Sequence, residues 1–292
     1  MRRPDWSGGN RREWIALAAL VVFTALSVGG YWNFALHPER LPETELAARF
    51  FTISFQFFAQ LHILVAFVAL AVVLVGRLKG RWIPAFAAVY ALSFLSEHLG
   101  TGYGVPFGGY GYTGLLGWKL GGRVPALIPV SWFLMALASW TIARAAVPER
   151  MRWPMRITLA TGWLVAWDLA LDPAMSFLTP YWMWDDAGPY YGMPWVNLAG
   201  WSLTGMVLMS VLEVLAPRLG MEELPTSWMA TYYGLVVALP LGMVIAAGLW
   251  PAVGVTLVGL GLCLGLTRAA VRKDTSMQPR RTSRAPQPAT AP

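Results

Sequence analysis

The sequence has 292 residues, of which 57% are hydrophobic and only 13% are charged. Soluble domains usually carry about a quarter charged residues, so this composition excludes an ordinary soluble domain and favours a chain surrounded by lipid. The formal net charge of +7 raises the question of nucleic-acid binding. The basic residues, however, follow the membrane segments instead of forming one patch, so we expect no nucleic-acid partner.

Eight apolar segments are long enough to cross a bilayer as helices, which takes about 20 residues each. They cover residues 14–34, 55–75, 82–99, 124–147, 157–178, 196–216, 228–249 and 252–271. The third is short, and only Trp250 and Pro251 separate the last two, so seven to nine spans remain possible. The sequence therefore predicts an all-α, polytopic transmembrane helix bundle of about eight spans, with residues 1–271 as a single membrane domain.

The basic residues alternate between the two sides of these spans. Of the 22 Lys and Arg residues, 18 fall on one side, and only Arg40, Arg49, Lys119 and Arg123 fall on the other. The positive-inside rule assigns the richer side to the cytoplasm. We therefore predict that both termini are cytoplasmic and that the protein lies in the bacterial cytoplasmic (inner) membrane. The tail, residues 272–292, is basic and rich in Pro, Ser and Thr, and is expected to be disordered near anionic lipid.

Four acidic residues, Glu97, Asp168, Asp172 and Glu213, lie within the predicted spans, where a charge costs about 2.5–3.5 kcal/mol. We expect no Lys or Arg within the spans to neutralise them, so each is a candidate functional group. Odd spans run outward and even spans run inward. This places the first three acids in the outer half of the bundle, whereas Glu213 lies near the cytoplasmic face.

Other polar side chains share the outer half with these acids: Asn33, Gln56, Gln60, His62, His98 and Asn197. Asp168 and Asp172 are four residues apart and therefore lie on one helix face. Repulsion and burial favour protonation of at least one of them. Purely structural roles remain open. Glu97 and Asp172 could be interfacial caps, Glu213 could simply end a helix near the lipid headgroups, and His62 and His98 could form interhelical hydrogen bonds.

Two predicted outer loops, residues 100–113 and 181–195, are rich in Gly, Pro and aromatic residues. Both contain the order Tyr-Gly-apolar-Pro-aromatic, at residues 103–107 and 191–195. Such a composition favours compact loops with flat apolar faces. An aromatic belt at the membrane interface is the alternative interpretation.

The motifs occur in a distinctive order. They are Glu97-His-Leu-Gly, then Gly104-Val-Pro-Phe-Gly-Gly-Tyr-Gly-Tyr112, then Asp168-x3-Asp172-Pro173, then Trp184 with Tyr190-Tyr-Gly-Met-Pro-x-x-Asn197-x-x-Gly-Trp201. Over about residues 90–201 this order resembles the CruF-type carotenoid biosynthesis membrane proteins, which include carotenoid 1′,2′-hydratases and bisanhydrobacterioruberin hydratase. The resemblance implies hydration of the terminal 1′,2′ double bond of an acyclic (ψ) carotenoid end group to a tertiary alcohol. It implies a hydro-lyase acting on a carotenoid within the bilayer.

Such a hydration needs a proton donor, a way to stabilise a tertiary cation, and a base for the attacking water. We assign the donor to the Asp168/Asp172 pair and the water-side base to Glu97, because general acid catalysis suits buried carboxyl groups. The expected substrate-binding residues are Asn197, Trp184, Tyr191, Trp195, Tyr103, Phe107, Tyr110 and His98. No cofactor and no metal are expected. Membrane lipid and other carotenoid biosynthesis enzymes are candidate partners.

Two alternative functions stay open. Asp168-x3-Asp172 is similar to a magnesium-binding motif of UbiA-like intramembrane prenyltransferases, although a second Asp-rich motif is missing from the sequence. A proton- or cation-coupled transporter also needs buried acids, but near the bilayer midplane rather than toward one face.

Overall fold

The computed structural model describes residues 9–147 and 153–277. This part of the chain contains eight α-helices, which confirms the predicted helix bundle. They are α1 (Arg11–Gly30), α2 (Glu45–Leu78), α3 (Ile83–Tyr103), α4 (Leu127–Ala146), α5 (Trp153–Asp172), α6 (Trp195–Leu215), α7 (Thr226–Ala246) and α8 (Trp250–Met277). Single π-helical turns, Tyr31–Ala35 and Pro173–Phe177, follow α1 and α5 directly.

Six of these helices are long and apolar enough to cross a membrane: α1, α2, α4, α6, α7 and α8. The remaining two, α3 and α5, have 21 and 20 residues, which is also enough for a bilayer core of about 30 Å. They carry Glu97, Asp168 and Asp172. The two helices with the less apolar sequences are therefore those that bring the three acids into the bundle.

Several helix boundaries differ from the predicted segments. Helix α2 begins ten residues before the predicted segment, which started at residue 55. Thr44 caps this earlier start by accepting the Ala47 N–H at 3.2 Å, and Glu45 pairs with Arg49 at 2.6 Å. Its 34 residues extend over roughly 50 Å at 1.5 Å per residue. Helix α8 continues to Met277, past the expected start of the tail at residue 272, and the rest of the tail lies outside the described residues.

The bundle is built around α4 and α5. Helix α4 is buried around most of its circumference, since it packs against α2, α3, α5, α6, α7 and α8. Helix α5 packs against α4, α6, α7 and α8, whereas α1 packs on α2 and α7, and α3 packs on α4 and α6. The helix with the paired aspartates is thus at the centre of the molecule.

Ion pairs join several helices at one end of the bundle. Arg77 at the end of α2 binds Glu13 at the start of α1, at 2.8 Å, and Arg144 binds Glu222 at 2.6 Å. These contacts gather the ends that the charge alternation assigns to one membrane side. Arg2, Arg3, Arg150 and Arg152 belong to the same predicted side but lie outside the described residues.

For Glu213, the expectation that no Lys or Arg neutralises the acids within the spans is wrong. Arg156 of α5 donates a hydrogen bond to Glu213, Arg144 of α4 lies 3.7 Å from it, and the indole N–H of Trp140 donates to it at 3.1 Å. Both arginines stand at helix ends on the side that the charge pattern predicts to be cytoplasmic, and their long side chains reach inward to the carboxylate. Glu213 belongs to a structural ion network and is separate from the other acids.

The two aromatic loops meet at the opposite end of the bundle. Strand β1 (Tyr110–Tyr112) of the first loop pairs antiparallel with β4 (Trp182–Trp184) of the second, so that Tyr110 faces Trp184 and Tyr112 faces Trp182. Within the first loop, β2 (Lys119–Leu120) pairs with β3 (Val124–Pro125). The loops therefore form one small structure across the helix ends, which the sequence did not reveal.

Candidate active site

An internal cavity of about 100 Å³ opens among the helices and the paired loops. Its lining comes from α2, α4, α5, α6 and α7, from Glu97 of α3, and from both aromatic loops. Most of the lining is apolar or aromatic, and the carboxyl groups of Glu97 and Asp172 are its only acids among the described residues. The space suits one small apolar group together with a few water molecules.

Glu97 is held by three aromatic hydrogen-bond donors. The indole N–H of Trp132 donates to Oε1 at 2.8 Å, and the hydroxyl of Tyr112 donates to Oε2 at 2.8 Å. The hydroxyl of Tyr110 donates to the same Oε2. A carboxylate is an acceptor-only group, so three donors suit the ionised form of Glu97.

Asp168 and Asp172 have a different environment. Both are fully buried, and the amide Nδ2 of Asn197 donates to Oδ2 of each, at 3.2 Å for Asp168 and 2.6 Å for Asp172. The indole N–H of Trp182 donates to Asp172 Oδ1 at 3.0 Å. Asp168 Oδ1 has no hydrogen-bond partner within the described part of the protein. Asp172 lines the cavity, whereas Asp168 does not.

The β1–β4 strand pair connects the two acid centres. Tyr110 and Tyr112 are two residues apart on β1, so their side chains face the same side of the strand. The same holds for Trp182 and Trp184 on β4. Across the strands, the Tyr112 and Trp182 rings lie 6.0 Å apart and the Tyr110 and Trp184 rings lie 5.1 Å apart. The strand pair thus presents donors to Glu97 from one strand and a donor to Asp172 from the other.

Of the residues that the sequence analysis assigned to the substrate, four line the cavity: Asn197, Trp184, Phe107 and Tyr110. The other four do not. Tyr103, the last residue of α3, and Trp195, the first residue of α6, are 77% and 60% exposed because these helix ends direct their side chains outward. His98 packs on Phe94.

Tyr191 adopts a positive φ of 53° in the turn that pairs Gly188 with Gly192. Its ring packs against Phe177 and Tyr190. The repeated Tyr-Gly-apolar-Pro-aromatic motif therefore shapes the loops, and only Phe107 of its aromatic members reaches the cavity.

The sequence analysis missed several residues that line the cavity. They include Tyr112, Trp132, Trp167, Trp182 and Trp201. Tyr112 and Trp182 could have been found from the two-residue alternation in Tyr-Gly-Tyr and Trp-Met-Trp, which is typical of a strand with one buried face. Trp132 could not, because nothing local distinguishes it among 16 tryptophans.

The remaining members of the predicted polar layer have separate structural contacts. Gln60 donates to the Leu115 carbonyl at 3.1 Å, and Asn33 donates to the Gly29 carbonyl at 2.9 Å. His62 lines the cavity, and its Nε2 lies 3.1 Å from the Thr24 hydroxyl.

These features define a multi-pass membrane protein with an acidic, aromatic-walled cavity near one end of its helix bundle. A sequence model of the family described as carotenoid biosynthesis protein matches residues 58–263, and the chain belongs to that family. The match includes both acid centres and both aromatic loops.

Bisanhydrobacterioruberin hydratase from Haloarcula japonica is a more specific relative. It is 32% identical over 142 residues, which are 48% of this chain and 47% of that protein. The match thus covers about half the length of the curated relative. No solved structure matches the chain.

Proposed function

We propose that the protein is a carotenoid 1′,2′-hydratase, which adds water across the terminal double bond of an acyclic carotenoid end group to give a tertiary alcohol. The observation that carries the proposal is the presence of two differently bonded acid centres, Glu97 and Asp172, on one aromatic cavity. An acid-catalysed addition of water needs one group that gives a proton and another that accepts one.

The Asp168/Asp172 pair is suited to be the proton donor. Its two carboxyl groups share one amide donor, and none of the ion pairs in the described part of the chain involves either residue. Placing two uncompensated negative charges side by side in a buried site costs several kcal/mol. The pair therefore retains a proton, and Asp172 is the member that lines the cavity.

The reaction balances with these two centres. Asp172 transfers its proton to C2′, the π electrons form the new C–H bond, and C1′ becomes a tertiary cation. The oxygen of a water molecule bonds to C1′ while Glu97 takes one of its protons, directly or through the Tyr112 hydroxyl. Proton return from Glu97 to the aspartate pair restores the resting state. The addition is redox-neutral and needs no cofactor.

Two further points support the proposal. The family is one of carotenoid biosynthesis proteins, and the similar Haloarcula japonica protein bears the name of a hydratase. Because the cavity has only about 100 Å³, it suits the end group of a carotenoid whose polyene stays in the surrounding bilayer. We place the enzyme in the bacterial cytoplasmic membrane, with its active site toward the outer face.

The test is expression in a bacterial host that accumulates an acyclic carotenoid, followed by mass analysis of the pigments. The wild-type protein should convert the pigment to a product heavier by one or two water molecules. Glu45→Gln, which changes an exposed acid outside the cavity lining, should give the same product, whereas Asp172→Asn should give at most a trace of it. Unchanged pigment with wild-type protein present in the membrane would refute the proposal. A product enlarged by a prenyl group, formed only with Mg²⁺, would favour a prenyltransferase instead.

A further inference from the structure

Three tryptophans form a continuous wall of the cavity. The rings of Trp132 and Trp201 are stacked, with centroids 4.2 Å apart and planes 24° apart. The ring of Trp167 meets Trp201 almost at a right angle, with centroids 5.7 Å apart. All three are nearly buried and line the cavity. We call Trp132, Trp167 and Trp201 the tryptophan cluster.

We propose that the tryptophan cluster stabilises the tertiary cation at C1′, with Trp201 as its central catalytic residue. This inference rests on the proposed hydration and assigns a role to residues outside the acid centres. The faces of indole rings carry partial negative charge and attract cations, most strongly where water is excluded. A tertiary carbocation is an apolar group with a transient positive charge, so aromatic faces stabilise it without providing a competing nucleophile.

The cluster bonds directly to Glu97, and Trp167 and Trp201 lie on α5 and α6, the helices that carry Asp172 and its partner Asn197. Trp132 donates its N–H to Glu97, which fixes the orientation of the ring on which Trp201 stacks. Trp167 precedes Asp168 in α5 and comes from the helix that carries the donor pair. A cation formed by protonation from the Asp172 side and captured by water on the Glu97 side would therefore lie against these rings.

Other aromatic residues are less suitable for this role. The hydroxyls of Tyr110 and Tyr112 and the indole N–H of Trp182 are engaged with carboxyl groups. Tyr191 and Trp195, which the sequence analysis expected to bind the substrate, do not line the cavity. The stacked rings of Trp132 and Trp201 instead offer a broad aromatic surface. Among the described residues, only the Trp132 N–H of this pair donates to an acid.

The test is replacement of Trp201 by tryptophan analogues with increasing numbers of ring fluorines, introduced at that single position. Fluorine withdraws electron density from the ring face and barely changes the ring's shape. We expect kcat to fall progressively with each fluorine, by about 10- to 30-fold in total, with little change in KM. The same series at Trp118, which is 74% exposed and outside the cavity, should leave kcat unchanged.

Ordinary substitutions give a second measurement. Trp201→Phe keeps an aromatic face and should retain more activity than Trp201→Leu. If fluorination at Trp201 leaves kcat unchanged, the cation-stabilising role is overturned, even if Trp201→Leu is inactive, because that loss would then reflect packing. A wild-type protein that hydrates no carotenoid would instead refute the proposed function itself, so the two failures are distinguishable.

Discussion

Glu97 and Asp172 face the same cavity but differ in what their oxygens contact. Three donors bind Glu97. Asp172 also accepts from Trp182, but its amide donor is shared with the second carboxyl group of Asp168. Two acids in unlike environments can hold opposite protonation states at one pH, which separates donor from base. The roles that we propose therefore follow from the neighbours of each acid and not from the acids themselves.

The first prediction concerns single residues and distinguishes the roles of Asp168 and Asp172. Asp172→Asn should lower kcat by at least about 100-fold, since general acid catalysis typically contributes 10²- to 10⁴-fold. Asp168→Asn should keep measurable activity, because Asp168 does not line the cavity. Rates are measured in membranes with equal amounts of inserted protein, and Glu45→Gln serves as the matched control. A fully active Asp172→Asn variant would contradict the assignment of the donor.

The sequence could identify the three acids because a carboxyl group inside a membrane helix is costly and so stands out. Their partners could not be identified in the same way. Trp132 lies 35 positions from Glu97, and Asn197 lies 25 positions from Asp172. Only the packing of separate helices brings these pairs together, and helix packing has no local signature in the sequence.

The β1–β4 strand pair acts as a unit because its alternating side chains reach both acids. Tyr112 and Trp182 are direct cross-strand neighbours, and each donates to a different carboxyl group. The intervening residues, Gly111 and Met183, face the other side and are exposed. A short strand pair can thus fix the spacing of two acids that belong to different helices.

The second prediction tests this role. Trp182→Phe keeps the ring contact with Tyr112 but removes the N–H bonded to Asp172. That N–H stabilises the carboxylate that forms on Asp172 as its proton leaves, and a hydrogen bond to a charged group contributes about 1.5–3 kcal/mol, so kcat should fall by about tenfold or more. Thermal stability should change little. Met183→Ala, on the exposed side of the same strand, is the control and should retain full activity. Equal activity of Trp182→Phe and wild type would show that the strand pair does not position Asp172.

The third prediction concerns the ion network at the other end of the helices. Glu213→Gln removes the carboxylate that binds Arg156, whereas Arg144 keeps its pair with Glu222. Breaking a buried ion pair costs about 3–5 kcal/mol. We expect a clearly lower Tm but an unchanged kcat per folded molecule. Glu45→Gln breaks only an exposed pair, worth a few tenths of a kcal/mol, and should leave Tm unchanged. A stable but inactive Glu213→Gln variant would link Glu213 to the chemistry.

For the whole molecule, the apolar segments predicted the helix count because backbone groups in lipid must be paired within each segment. The same pattern could not place the start of α2, since residues 45–54 include Glu45 and Arg49 and yet continue the helix. Nor could it show that the two aromatic loops pair. Their strands are only three residues long and lie about 70 residues apart.

The fourth prediction fixes the orientation of the bundle. Reporter fusions after Gly80 should read cytoplasmic, and fusions after Thr113 and Gly188 should read external, because the basic residues are concentrated on one side. Thr113 ends the first of the loops that line the cavity, and Gly188 lies within the second. An external signal at Gly80 would reverse the membrane orientation of the active site while leaving its internal geometry intact.

The most direct test of the account is the source of the oxygen atom in the product. Membranes that contain the protein should convert an acyclic carotenoid to its tertiary alcohol in ¹⁸O-labelled water, without O₂, reductant or added metal. The product should gain the mass of one labelled water molecule for each end group that reacts. Label that enters from ¹⁸O₂ instead, or activity that disappears under anaerobic conditions, would contradict the hydration.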